Sequence, residues 1–174
     1  MKKIIVIGSP GSGKSTFSRK LCKVCDIPIF YLDMIWHKPD KTTVSREEFD
    51  RRLSEILKRD NWIIDGNYSR TLETRLKECD TVFLFDIPLS ECLSGVESRI
   101  GKSRPDMPWI EEEFDVQFRQ YICDFPQSTL PKIYELLKNH ANNKSITVFR
   151  TRSDADNFVK ELEKAYYSDN SAKK

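Results

Sequence analysis

Short apolar runs alternate along the chain with longer stretches whose apolar positions recur every three or four residues. Ile4-Ile5-Val6-Ile7, Ile27–Asp33, Trp62-Ile63-Ile64, Thr81–Asp86 and Ser145–Phe149 are the short runs. They are rich in β-branched and aromatic side chains and bounded by turn residues, which predicts strands buried on both faces. The stretch Thr16–Cys25 carries Phe17, Leu21 and Val24 on one side of a helix. A second helix opens at Ser45 and carries Phe49, Leu53, Ile56 and Leu57. Ser90 starts a third, through Cys92, Leu93 and Val96. Glu112–Phe125 carries Phe114, Phe118, Tyr121, Ile122 and Phe125, and a further helix follows Pro131. A last one, opened by Ser153, carries Phe158, Leu162 and Ala165. Ser45 with Glu48, and Ser153 with Asp156, have capping-box spacing. From Tyr167 the chain is polar and is expected to fray, leaving a tail at about 168–174. Strands alternating with helices predict an α/β protein with a parallel sheet and helices on both faces.

Length and charge narrow the reading. The 174 residues make one domain, 1–174. Lys plus Arg is 29 and Asp plus Glu is 27, a net charge of +2, so there is no basic excess of the kind nucleic-acid binding uses. No apolar run approaches the roughly 18 residues of a membrane span. The chain enters its first strand directly after Lys2-Lys3, with no signal-like segment, and a cytoplasmic protein is expected. Its five cysteines are then expected to be reduced. Cys22 and Cys25 have Cys-x-x-Cys spacing inside the first helix, with no second pair nearby, and read as small packing residues.

The chemistry centres on Gly8-Ser9-Pro10-Gly11-Ser12-Gly13-Lys14-Ser15-Thr16, a Gly-x-x-x-x-Gly-Lys-Ser loop between a strand and a helix. Glycines let backbone N–H groups wrap phosphate oxygens, and the helix N-terminus adds partial positive charge. Lys14 is the expected β/γ-phosphate ligand and Ser15 the expected Mg²⁺ ligand, so ATP and Mg²⁺ are the expected cofactors. Asp65 ends an apolar run before Gly66 and is the candidate second acid for Mg²⁺. Asp33, at the end of the second run, is a candidate for contacting Mg²⁺ through water or for positioning an acceptor, the other reading being a cap on the next turn. Trp36 could wall an acceptor site or cover the core. Arg70 and Arg75 offer forks for an acceptor phosphate. Arg99 and Arg104 lie in a turn-rich basic stretch that could close over a triphosphate.

The phosphate loop is similar to that of adenylate kinases, and Asp65-Gly66-Asn67-Tyr68-Ser69-Arg70 resembles that family's Asp-Gly-Phe-Pro-Arg segment. Leu32-Asp33…Trp36, Trp62-Ile63-Ile64-Asp65-Gly66-Asn67-Tyr68 and Arg104-Pro105-Asp106-Met107 resemble the adenylate-kinase-related group named topology modulation proteins. The resemblance spans nearly the whole chain. It implies a five-stranded parallel sheet, ATP, Mg²⁺ and a mobile lid, here about 99–125, with Arg99 and Arg104 as its arginines. The implied activity is transfer of the ATP γ-phosphoryl group to a small-molecule acceptor such as a nucleoside monophosphate. The alternative is an ATP-binding regulatory protein with weak or no kinase activity. Met34-Ile35-Trp36-His37-Lys38 stands where adenylate kinases carry an AMP-phosphate arginine, and Tyr68-Ser69 replaces the proline of the third-strand motif. Both departures argue against AMP.

Overall fold

The computed structural model describes residues 1–171; positions 172–174, the end of the expected polar tail, lie outside them. Five strands form one parallel sheet: β1 (Lys3–Gly8), β2 (Ile29–Tyr31), β3 (Trp62–Asp65), β4 (Thr81–Phe85) and β5 (Ser145–Phe149), in the spatial order β2-β3-β1-β4-β5. Among the described residues, eight helices connect and cover it: α1 (Lys14–Cys25), α2 (Leu32–Trp36), α3 (Arg46–Leu57), α4 (Ser69–Glu78), α5 (Leu89–Glu97), α6 (Val116–Ser128), α7 (Leu130–Asn139) and α8 (Arg152–Ser171).

Side-chain alternation along the strands builds two cores. Ile5 and Ile7 of β1, Trp62 and Ile64 of β3, and Val82 and Leu84 of β4 face Phe49, Leu53, Leu72, Leu76, Ile133 and Leu137 from α3, α4 and α7. Ile4 and Val6, Ile63, Phe83 and Phe85 face Phe17, Leu21, Val96 and Val159 from α1, α5 and α8. Both faces of the sheet are therefore dry, which is why its strands read as continuous apolar runs. Cys22 and Cys25 pack at the margin of the second core.

Several boundaries differ from the sequence expectation, each for a local reason. β2 is an edge strand whose pairing ends at Tyr31↔Asp65. The chain then coils into α2, which puts Asp33 in a first helical turn instead of at a strand end. Helix α5 starts at Leu89, before Ser90, because the Pro88 carbonyl accepts from the N–H groups of Glu91 and Cys92, each at 3.1 Å. Helix α6 starts at Val116, not Glu112, where the Asp115 carboxylate caps the N–H of Phe118. Helix α8 opens on a reciprocal box between Thr151 and Asp154, two residues before the expected pair. It continues to Ser171, past the fraying expected from Tyr167. Ser45 does cap α3, accepting from the N–H of Glu48, whose carboxylate turns outward to Arg51 and Arg52.

Candidate functional site

The carboxyl edge of the sheet carries the phosphate loop, held by side chains from two directions and by a close backbone approach from a third. Asn67, just past β3, grips Gly8 with both ends of its amide: Oδ1 accepts from the Gly8 N–H at 2.9 Å and Nδ2 donates to the Gly8 carbonyl at 2.8 Å. From α8, Arg152 donates to the carbonyls of Gly11 at 2.9 Å and Glu91 at 2.7 Å. On the α5 side, Gly11 sits at φ +76 so close that a Cβ would lie 2.0 Å from the Cys92 carbonyl oxygen. Only glycine permits that approach. The Lys14 ammonium donates to the Ser9 carbonyl at 2.8 Å, folded back across its own loop. Sequence reading gave no role to Asn67, whose place just after a strand-end acid and glycine was its only signal. Arg152 was missed, since it meets Gly11 across 141 residues and nothing local marks it.

Asp65 closes β3 beside this loop. It is 4% exposed, and its Oδ2 has no hydrogen-bond partner. Burial raises its carboxyl pKa to about 6, although Lys14 and the Ser15 hydroxyl both favour the anion. Burial likewise lowers the Lys14 pKa against the attraction of Asp65 and Asp33. For each group, desolvation outweighs the charge it faces.

Asp33 faces the same space from α2 and accepts from the Tyr68 hydroxyl at 2.8 Å. Tyr68 holds a left-handed backbone at φ +39. Arg75 fixes that turn. It is fully buried and donates to the carbonyls of Gly66 at 2.9 Å, Asn67, and Tyr68 at 3.1 Å. Its guanidinium is thus turned into the 66–68 loop instead of outward to an acceptor phosphate. Arg70 projects to solvent and forms a two-pronged pair with Asp50 of α3, at 2.6 and 2.9 Å. Trp36 packs edge-on to Phe49 and Tyr68, with ring centroids 5.6 and 6.3 Å away. Asp33 is therefore the one member of the expected acceptor set that lines the cleft.

That cleft measures roughly 970 Å³ and runs from the phosphate loop past Asp33, Asp65 and Tyr68 to the non-helical 98–115 segment. Both arginines of this segment line it. Arg99 lies 3.2 Å from Glu111, with its guanidinium over the Phe118 ring; Arg104 pairs with Asp106 at 2.9 Å and Glu111 at 2.8 Å. Burial and the neighbouring Arg104 charge lower the Arg99 pKa. The loop, both acids and both arginines of the expected site are thus brought to one cavity.

No family model matches the chain. Over 145 residues it is 25% identical to an adenylate kinase of Thermosipho africanus (strain TCF52B), a match covering 77% of this chain and 64% of that protein. It is 26% identical over 88 residues to an adenylate kinase of Thermotoga petrophila, covering 49% of this chain and 39% of that protein. The chain spans less than two thirds of the length of these relatives. A shikimate kinase from Bacteroides thetaiotaomicron superposes with a TM-score of 0.56 at 16% identity, over 93% of this chain and 96% of that one. A gluconokinase from Sinorhizobium meliloti 1021 superposes with a TM-score of 0.54 at 12% identity, over 96% and 92%. The chain has the fold of the P-loop kinases, and its sequence is similar to adenylate kinases. Among the described residues, no helix is long and apolar enough to cross a membrane.

Proposed function

We propose that this protein is a Mg²⁺-dependent kinase of the cytoplasm that transfers the ATP γ-phosphoryl group to a small acceptor. The observation that carries the reading is the convergence of Lys14, Ser15, Asp65, Asp33, Arg99 and Arg104 on one cleft. The residues present fit a magnesium ion: Asp65 has a buried oxygen without a partner, with the Ser15 hydroxyl beside it. Ser15 and Asp65 would hold the ion, which supplies charge neutralisation on the β- and γ-phosphates when bound. Lys14 leaves the Ser9 carbonyl to reach the phosphates. The loop amides and the α1 N-terminus bind the phosphate oxygens. Closure of a lid at about 99–125 brings Arg99 and Arg104 over the transferring group, where charge develops in the transition state. A nucleoside monophosphate is the reference acceptor that the adenylate kinase likeness suggests, and the motifs around Asp33, Asp65 and Arg104 resemble the topology modulation group.

The test is a phosphoryl-transfer screen with γ-labelled ATP, Mg²⁺ and a panel of nucleotides and metabolites, run beside Lys14→Ala. Labelled product that the variant fails to form supports the kinase. ATP binding with no labelled product from any acceptor would replace it with the regulatory reading.

A further inference from the structure

Three groups around the acceptor half of the cleft define what it accepts. Asp33 presents a carboxylate whose Oδ1 is held at 2.8 Å by the Tyr68 hydroxyl, itself fixed by the Arg75-braced turn. His37, one turn on, is half-buried, lies edge-on to Trp109 at 4.9 Å, and has its pKa lowered by that burial, which favours the neutral imidazole. Tyr121 of α6 also lines the cleft. None of these groups carries positive charge to spare.

The cleft's arginines each face a carboxylate of the chain, and Lys41 adds one exposed ammonium to the lining. Arg19 faces Asp106 at 3.8 Å, Arg99 faces Glu111, and Arg104 pairs with both acids. The two arginines that follow β3, which could have served a second phosphate, are spent elsewhere: Arg75 on three backbone carbonyls and Arg70 on Asp50. A phosphate dianion seated beside Asp33 would meet a like charge, with Arg99 and Arg104 committed to the transferring phosphoryl group and only the single ammonium of Lys41 left in the lining, which offers no bidentate fork. An alcohol would donate a hydrogen bond to that carboxylate while its ring or apolar body lay among Tyr68, Trp109 and Tyr121.

We propose, on the basis of the kinase reading above, that the acceptor is an uncharged hydroxyl compound on a ring-sized body, not a phosphate monoester, and that Asp33 is its general base. The acceptor O–H proton passes to the Asp33 carboxylate as the oxygen attacks the γ-phosphorus of ATP. The new O–P bond forms as the bond from the γ-phosphorus to the β,γ-bridging oxygen breaks, and ADP leaves with that electron pair. A phosphate ester of the acceptor and ADP are the products.

The experiment offers matched pairs to the full chain with labelled Mg·ATP: nucleosides, hexoses and cyclitols, each beside its own monophosphate. The expected result is labelling in the unphosphorylated arm, with kcat/KM at least about 10²-fold above the matched monophosphate. Asp33→Asn should lower kcat by about 10²-fold or more, the usual worth of a general base, with Mg·ATP affinity held. Tyr68→Phe should lower kcat less and move its pH profile, since it positions the base. Preferential labelling of the monophosphates would overturn the acceptor class and leave the kinase standing. An Asp33→Asn enzyme with parental kcat would overturn the base. ATP binding with neither arm labelled would overturn the kinase reading itself.

Discussion

Single residues divide here by what their polar atoms touch. Asp65 and Arg75 are both buried, yet only Asp65 keeps an oxygen unpartnered. A carboxyl whose pKa rises from 3.8 to about 6 on folding binds its proton more tightly in the native state. Its contribution to stability is therefore full below pH 4 and is lost as pH rises through 6. In Mg²⁺-free protein, the parent should lose stability across that window relative to Asp65→Asn in thermal melts. Magnesium-dependent ATP affinity should do the reverse. It strengthens as pH rises through 6 in the parent, and this component should be absent from Asp65→Asn; a flat parent-minus-variant difference in calorimetric titrations would refute the metal role. Arg75→Ala removes the side-chain donor from the Gly66 and Asn67 carbonyls, while the Tyr68 carbonyl keeps the Thr71 N–H; each buried group left unpartnered costs about 1–3 kcal/mol. It should unfold the domain or lower its melting temperature severely, with Arg75→Lys only partly rescuing it. Arg70→Ala removes a solvent-screened surface ion pair, and should leave both stability and acceptor KM nearly unchanged.

At the scale of elements, the segment between α5 and α6 is held by ion pairs and not by regular backbone bonding. Glu111 sits between Arg99 and Arg104, so the two arginines are stored against an acid of their own segment. On the kinase reading, their contacts to the transferring phosphoryl group would be made as the segment closes. Arg99→Ala and Arg104→Ala should each lower kcat steeply, toward the roughly 10³-fold that such arginines contribute in related chemistry. The acceptor KM should change little, because the contact strengthens only in the transition state. Steady-state kinetics with the acceptor identified by the paired screen decide this. A change confined to acceptor KM would place these arginines on the acceptor.

At the scale of the whole molecule, the C-terminal helix is wired to the nucleotide loop near the N-terminus through Arg152. Ligand at the loop should therefore stabilise the fold and feel the state of α8. Mg·ATP at 100 times its Kd adds about 2.7 kcal/mol, which for a chain of this size raises Tm by roughly 5–10 °C. Arg152→Ala frees the carbonyls of Gly11 and Glu91, and should weaken ATP binding and shrink that shift at a fixed nucleotide concentration. A full parental shift would show that the contact to Gly11 is incidental.

The sequence by itself determined the strands, most of the helices, the parallel sheet and the phosphate loop. Each of these is written in neighbouring residues: apolar runs for strands covered on both faces, three-to-four spacing for helices, and glycines where the backbone must approach phosphate. It also named Asp33, Asp65, Arg99 and Arg104, which the fold gathers into one cleft. Only the tertiary structure decided the rest. Arg70 and Arg75 follow β3 with equal promise in sequence, and helical phase sends one to solvent and the other under the 66–68 turn. Arg152 carries no local mark and Asn67 only its place after Asp65-Gly66, because their partners are 141 and 59 residues away. Propensity and spacing are short-range and survive in a string of letters, whereas the choice of a hydrogen-bond partner depends on which distant backbone the folded chain brings within reach.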